Sequence, residues 1–414
     1  MQDTLVNHID SANMRRAGAD LLSLALMDAR NHTLHLIAQF EAALAASDFV
    51  VPIKPELNPP LWTLGYIGWF QEWWTTRNLQ RQLGVAADPA PTRLASIEPR
   101  ADHWFNPAST PQEGRWALDL PGLGAVKSYL LDTLETTLEL LQKTPDTDAA
   151  LYFYRLALFH EDMQSESLLA QAQALGLPIE LTLPGPAAPR EPILIPAVGW
   201  SLGSPGGQGF AFDNEQPAFE VQVPEFEIDA QPVSWAQFVE FVDDGGYDEA
   251  DFWHPDGWAW LQVKAAGEGR RGPRYVDQIG VASGAVMQTR FGRAMRMLGN
   301  QAATHLTWWE ADAWARWAGR RLPAEVEWEV AAHAGARRGW RWGDVWEWTG
   351  TTFRPYPGFV AGPWGEYSQQ HFANHKVLRG ASFATRARMK NSKFRNFAQT
   401  GRDDLFCGFR TCAV

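Results

Sequence analysis

Apolar residues recur every three or four positions through the first part of the chain, which predicts a series of helices. Four segments carry this pattern, each long enough for several turns: 20–44, 61–83, a segment that begins after Gly122, and 151–172. The second segment follows Pro59 and Pro60, and proline is common at the first turn of a helix. Four helices with connections of varied length indicate a helical bundle over residues 1–180.

The pattern changes near Leu181. Residues 181–196 are rich in proline and predict a linker. Residues 197–414 then show short alternating strands, glycine turns and irregular loops, with two short helices predicted at 235–243 and 308–318. The predicted fold class is therefore α + (α+β), a four-helix bundle followed by a mixed, loop-rich domain.

Composition narrows the classes of function. The chain has 414 residues and a net charge of −12 without a long basic run, which argues against nucleic-acid binding. No stretch approaches the ~18 apolar residues of a membrane span, and the N-terminus lacks the apolar core of a signal peptide. Cys407 and Cys412 are the only cysteines, too few for a disulfide framework, so we expect a reducing, cytoplasmic location.

The helix predicted over 151–172 carries candidate metal ligands on one face. His160 and Gln164 are four residues apart and therefore point the same way, a spacing at which two histidines bind one metal ion well. Because glutamine is a weak ligand, the residues alone favour a partly buried, hydrogen-bonded histidine. Tyr66, on the second helix, is by the same reasoning a core residue.

A basic cluster near the C-terminus allows two interpretations. Arginine and lysine recur between residues 386 and 395. The cluster is either a solvated strand and loop or a site that grips substrate carboxylates through paired hydrogen bonds.

Several ordered motifs in the second half resemble the formylglycine-generating-enzyme fold, a loop-rich scaffold related to C-type lectins. They are GDVWEWT at 343–349, RRLPAEVEWEVAA at 320–332, PVSWAQFVEFVDDGGY at 232–247, and the series LRGASF, FRNF and GFRTC between 378 and 412. This fold hosts several activities, so the motifs leave the reaction open.

Motifs in the helical part narrow the resemblance. PPLWTLGYIGWFQEWW at 59–74 and FHEDMQSE at 159–166 resemble the DinB-like bundle of the ergothioneine-type sulfoxide synthases. These are non-haem iron enzymes that use oxygen to join a sulfur donor to the imidazole of hercynine, which is trimethylated histidine. Segments 103–121 and 396–414 look closest to the selenoneine synthase branch, whose donor is a selenosugar. The resemblance implies hercynine, a selenosugar or thiol donor, and oxygen as small-molecule partners, and Fe(II) as cofactor.

The same resemblance assigns roles to individual residues. The metal positions fall on His160, Tyr66 and Gln164, where the family has three histidines. Asn396 and Phe397 match the asparagine–aromatic pair that holds the trimethylated histidine, and an aromatic face suits a quaternary ammonium. Met163 is also assigned to the substrate. Phe353 falls where some members carry a catalytic tyrosine, and Tyr66 is the other catalytic candidate.

Three hypotheses follow from these assignments. The first is an iron-dependent synthase of a C–S or C–Se bond. The second is an iron-free relative that binds hercynine without catalysis, because two of three ligand histidines are replaced. The third, a thiol oxidase of the formylglycine type, is disfavoured because both cysteines read as structural. The first two predict one shared cleft between the domains, formed by Tyr66, His160, Gln164, Asn396 and Phe397.

Overall fold

A computed structural model describes residues 8–90, 92–265, 267–269, 271–280 and 285–414. The first half is helical. Its helices are α1 (Ala19–Leu44), α2 (Pro60–Trp74), the short α3 (Ala101–Phe105), α4 (Leu123–Leu141) and α5 (Asp148–Leu175). The four long helices agree with the four apolar-periodic segments of the sequence.

Helix α2 ends about nine residues before the predicted end, at Trp74. The hydroxyl of Thr75 donates to the Gln71 carbonyl at 2.6 Å, and that of Thr76 donates to the Glu72 carbonyl at 3.3 Å. Threonine side chains that bond backbone carbonyls compete with the helical ladder. Two successive threonines therefore end a helix that apolar spacing alone would extend.

Helix α5 is the longest in the described part of the chain and is mostly buried. It begins at an N-cap, Thr147, whose hydroxyl accepts from the backbone N–H of Ala150. It ends at Gly176, which adopts a left-handed conformation with φ of 67°. Both ends carry the expected capping residues, so its length follows from local sequence.

The second half is rich in strands and short helices. Its helices are α6 (Trp235–Asp243), α7 (Pro255–Trp260), α8 (Trp308–Trp317) and α9 (Glu325–Ala334). Its strands are β1 (Ile193–Ile195), β2 (Val198–Leu202), β3 (Phe219–Val223), β4 (Phe226–Ile228), β5 (Val276–Gly280), β6 (Ala285–Arg290), β7 (Arg293–Met297), β8 (Arg320–Arg321), β9 (Trp346–Thr352), β10 (Lys376–Gly380), β11 (Asn396–Ala398), β12 (Cys407–Phe409) and β13 (Cys412–Ala413). The predicted α6 and α8 are confirmed, whereas α7 and α9 were not predicted.

These strands form four small sheets, ordered β1-β4-β13-β8, β11-β10-β9-β12, β2-β3 and β5-β6-β7. In the second of them β9, β10 and β11 are antiparallel and β12 runs parallel to β9. This sheet carries Asn396 and Trp346 toward the helical half. The arrangement confirms a helical region followed by a sheet-rich mixed domain.

The hairpin β6–β7 is fastened to the end of α5. Its turn residues, Phe291 and Gly292, both have positive φ. Gln173 accepts from the Phe291 N–H at 2.8 Å and donates to the Thr289 carbonyl at 2.9 Å. A Cβ at Gly292 would collide with the carbonyl oxygen of Gly176, so glycine is required there.

Buried ion pairs join the two halves. Arg388, fully buried, pairs with Asp162 of α5 at 2.7 Å and with Asp28 of α1 at 2.8 Å. Further along the basic cluster, Lys393 pairs with Glu329 and Arg395 with Glu325, both within the second half. Neither sequence interpretation describes Arg388, Lys393 and Arg395, because each of them pairs with a carboxylate of the protein. One continuous hydrophobic core also includes residues of both halves.

No helix in the described part of the chain is long and apolar enough to cross a membrane.

Candidate functional site

One face of α5 places His160 and Gln164 a single turn apart. Their Nε2 atoms are 3.4 Å from each other, as the four-residue spacing predicts. His160 is buried, and its Nδ1 atom has no hydrogen-bond partner among the described residues. Burial lowers the pKa of His160 to about 3. The imidazole is therefore neutral near pH 7.

Three aromatic rings enclose this imidazole. Phe70 stacks on it with ring centroids 3.6 Å apart, and Tyr66 meets it edge-on at 4.9 Å. Trp364, from the second domain, is the third ring at 5.6 Å. Burial raises the pKa of the Tyr66 hydroxyl above its ordinary value, so Tyr66 is a neutral phenol.

Glu166, two residues beyond Gln164, reaches into the second domain. One carboxylate oxygen accepts from the Trp346 indole at 2.8 Å and from the Ser382 hydroxyl at 2.5 Å. The other oxygen accepts from the Thr385 hydroxyl at 2.8 Å. Burial raises the pKa of Glu166, and these hydrogen bonds oppose that rise. Glu166 thus binds α5 to the β9–β10 sheet region.

Beside Glu166 lies a cavity of about 180 Å³ between the two halves. Met163 and Asn396, two of the predicted substrate residues, both line it. Three aromatic rings, three carboxylates and one arginine also line it: Trp346, Phe394, Phe406, Glu56, Glu166, Asp404 and Arg402. We name this space the inter-domain cavity. Its combination of aromatic rings and carboxylates suits an organic cation.

Phe397 follows Asn396 on β11 but is absent from the lining of the inter-domain cavity. Successive side chains of a strand point to opposite faces. Phe397 instead stacks on Phe353, with ring centroids 4.2 Å apart and planes 17° apart. Phe353 is fully buried. The predicted aromatic partner and the second catalytic candidate therefore share a packed layer behind the cavity.

Tyr66 faces a different space, a cleft of about 370 Å³. Five more aromatic residues line it: Trp69, Phe70, Trp73, Trp74 and Trp364. The prediction that five residues meet in one cleft is therefore wrong. The structure brings together Tyr66, His160 and Gln164 as one cluster, places Met163 and Asn396 in the inter-domain cavity, and separates Phe397 from both.

Comparisons with known proteins cover both halves of the chain. The profile of the sulfatase-modifying factor enzyme 1-like domain matches residues 184–344 and 341–413. Hercynine oxygenase of Mycolicibacterium smegmatis is 30% identical over 96% of this chain and 98% of its own length. That of Mycolicibacterium thermoresistibile is 30% identical over 94% of both chains. This chain belongs to the hercynine oxygenase family.

A second group of relatives matches only part of the chain. The formylglycine-generating enzyme of Streptomyces coelicolor is 33% identical over 42% of this chain and 58% of its own length. Membership in the hercynine oxygenase family, in contrast, rests on similarity from end to end. The resemblance of the whole chain to hercynine-acting synthases, and of its second half to the formylglycine-generating-enzyme fold, is thereby confirmed.

The three residues that the motif resemblance assigns to a metal, His160, Tyr66 and Gln164, do not fit Fe(II). They offer one imidazole, one neutral amide and one protonated phenol, of which only the imidazole is a good iron donor. A metal-bound histidine normally donates its other N–H to a fixed partner, yet Nδ1 of His160 has none among the described residues. The same part of the chain contains no cluster of three His, Cys, Asp or Glu residues that could hold a metal.

The two cysteines give no support to thiol chemistry in this family member. Cys407 and Cys412 are free and buried. Burial raises the pKa of each thiol above its ordinary value. A reactive cysteine needs thiolate character and access, so both residues are structural.

Most residues that line the inter-domain cavity were not predicted from the sequence as site residues. Trp346 lies in the motif GDVWEWT and Phe394 is the first residue of FRNF, but both motifs were identified only as family markers. Arg402, Asp404 and Phe406 fall in the terminal segment that resembles the selenoneine synthase branch. This segment could have indicated further cavity residues, because Arg402 and Asp404 follow the predicted substrate residue Asn396 within it.

Proposed function

We propose that hercynine is the ligand of this chain. The observation that carries the proposal is the similarity from end to end to proteins named hercynine oxygenase. The inter-domain cavity supports it, because Trp346, Phe394 and Phe406 offer aromatic faces to a trimethylammonium group. Asn396 lines the same wall and can bond the ligand's carboxylate or amine, whereas Arg402 is already paired with Asp404 through two hydrogen bonds.

The first candidate activity is that of an oxygen-dependent synthase. Such a synthase would couple a selenosugar or a thiol to the imidazole carbon of hercynine, with removal of hydrogen from both partners and with dioxygen as oxidant. Selenium is favoured over sulfur by the segments 103–121 and 396–414. The second of these supplies Asn396, Arg402 and Asp404 to the cavity. A cytoplasmic location belongs to the same proposal.

The second candidate activity is binding of hercynine without catalysis. The donor set around His160 favours it, because Tyr66 and Gln164 replace the two other histidines implied for iron. Binding needs only the aromatic wall and the polar groups, so it survives loss of the metal. The two candidates agree on the ligand and differ on turnover.

Calorimetry separates the ligand question from the activity question. We expect hercynine to bind at least tenfold more tightly than histidine, which lacks the three methyl groups and the fixed charge. Equal or absent binding of the two compounds would reject the proposed ligand. Turnover is then measured in air, with added Fe(II), hercynine and either a selenosugar or a thiol. Product formation supports the synthase, and tight binding without product supports the binding protein.

A further inference from the structure

A second cavity, of about 330 Å³, lies in the second domain beneath the linker. Its wall is largely apolar and includes Leu183, Pro184, Met297, Leu298, Val345 and Phe383. The linker is held over it, because Gln301 donates from its side-chain amide to the Pro184 carbonyl at 2.8 Å. The cavity is thus bounded by fixed backbone on the linker side.

Three buried polar side chains line this cavity and carry atoms without partners. They are Trp235, Thr304 and Arg290, whose exposed fractions are 1%, 3% and 5%. The indole N–H, the hydroxyl and the guanidinium Nε of these residues have no hydrogen-bond partner among the described residues. Buried donors are normally satisfied, so three around one cavity point to a missing acceptor.

The charge of Arg290 is also unbalanced. The guanidinium donates to the Gln288 side-chain oxygen at 3.1 Å and lies 5.2 Å from the Phe383 ring. No carboxylate in the described part of the chain forms an ion pair with it. Asp344 lines the same cavity, but its carboxylate accepts from Arg341 at 2.9 Å. A buried cation without a counter-ion is costly, which makes a bound anion favourable.

Arg290 is held in place before any ligand binds. It is the last residue of β6, directly before the Phe291–Gly292 turn that Gln173 of α5 fixes from both sides. Its backbone pairs with Arg293 of β7. The backbone of Arg290 is therefore already ordered in the folded protein, which reduces the entropy lost on ligand binding.

We propose that this cavity binds a small organic monocarboxylate with an apolar body. The carboxylate would accept from Arg290, Trp235 and Thr304, and the body would lie against the apolar wall. The site is separate from the inter-domain cavity. Phe383 lines one and Phe406 lines the other, and these two rings are in contact with centroids 4.7 Å apart.

Hexanoate and hexanamide are the matched probes, since they share the apolar body and differ in charge. Calorimetry should show hexanoate binding at least tenfold more tightly than hexanamide. In protein with ¹⁵N-labelled tryptophan, hexanoate should shift the Trp235 indole N–H resonance, which Trp235→Phe identifies by its loss. Arg290→Met should weaken hexanoate binding at least tenfold, and Trp235→Phe should weaken it about threefold.

Arg293→Gln is the control, because Arg293 is exposed on the adjacent strand and does not line the cavity. It should leave binding within twofold. Thermal melting of Arg290→Met checks folding, and removal of an unpaired buried charge should keep or raise its melting temperature. Equal binding of hexanoate and hexanamide, equal binding of inorganic phosphate, or no shift of the Trp235 resonance would each overturn the proposal.

Discussion

Two regions on neighbouring faces of α5 differ in how they treat polar groups. Around His160 the surroundings are aromatic, the imidazole is neutral, and one ring nitrogen has no partner among the described residues. Around Glu166, less than two turns away, three donors meet one carboxylate and a cavity opens beside it. One helix therefore contributes both to an aromatic cluster around a neutral imidazole and to the wall of the inter-domain cavity.

The difference indicates what kind of ligand each region could hold. A metal position needs several donors with satisfied partners of their own, and the His160 cluster offers a single good donor. A pocket for an organic cation needs rings, carboxylates and space, and the inter-domain cavity offers all three. The residues suited to an organic cation and those assigned to a metal thus lie in different regions of the structure.

Helix α5 can contribute to both regions only if it is fixed against the second domain. The variant Asp162→Ala tests this attachment, and its expected effect on stability is the largest of the predicted effects. Removal of Asp162 leaves the buried Arg388 guanidinium with the more exposed Asp28 as its remaining ion-pair partner. We expect a loss of about 3 kcal/mol in the free energy of unfolding, measured with urea. The exposed pair Lys127–Glu41 is the control, and Glu41→Ala should cost less than about 1 kcal/mol. Equal effects of the two variants would contradict the assumption.

Histidine at positions 66 and 164 tests whether the side chains at these two positions are all that keeps the His160 cluster from binding Fe(II). Tyr66→His with Gln164→His should raise Fe(II) affinity about a hundredfold, equivalent to about 2.7 kcal/mol, because three imidazoles would then face one point. Metal content after anaerobic loading gives the readout, with Tyr66→Phe and Gln164→Leu as the donor-free control. No gain over this control would mean that Phe70, stacked at 3.6 Å on His160, closes the position.

The pH dependence of stability tests the burial of His160. Its pKa is about 3 in the folded protein and 6.5 ordinarily, so below pH 6.5 the unfolded chain takes up a proton that the folded chain does not. Stability should therefore fall with decreasing pH, by about 2 kcal/mol between pH 6.5 and 5 from this residue. His160→Gln should remove that part of the loss in urea unfolding. His35→Gln, at an exposed histidine of α1, should retain it, and identical profiles of parent and His160→Gln would refute the assignment.

The smallest expected effect is on hercynine binding, and it distinguishes the neighbouring residues Asn396 and Phe397 of β11. Asn396→Ala removes a polar group from the inter-domain cavity and should weaken hercynine binding about fivefold, or about 1 kcal/mol. Phe397→Leu changes the packed layer against Phe353 and should leave binding within twofold. Calorimetry on both variants gives the comparison. A larger loss of hercynine affinity for Phe397→Leu than for Asn396→Ala would show that the Phe397 ring contributes to hercynine binding.

The helices were predictable to the extent that local sequence controls them. Apolar spacing identified α1, α2, α4 and α5, and the capping residues Thr147 and Gly176 explain why α5 has its length. The end of α2 was mispredicted, because Thr75 and Thr76 act through side-chain hydrogen bonds that apolar spacing does not report. The pairing of Arg388 with Asp162, 226 residues apart, has no local signal at all.

The sequence by itself determined the family, the order of a helical and a sheet-rich half, and the shared face of His160 and Gln164, because motifs and helical spacing are local properties. The tertiary structure alone decided which side of β11 faces the cavity and that Tyr66 opens onto a different cleft. It also showed that Arg388 of the basic cluster near the C-terminus joins the two halves. These features depend on how distant segments pack, and short-range patterns carry no record of the partner against which each side chain is buried.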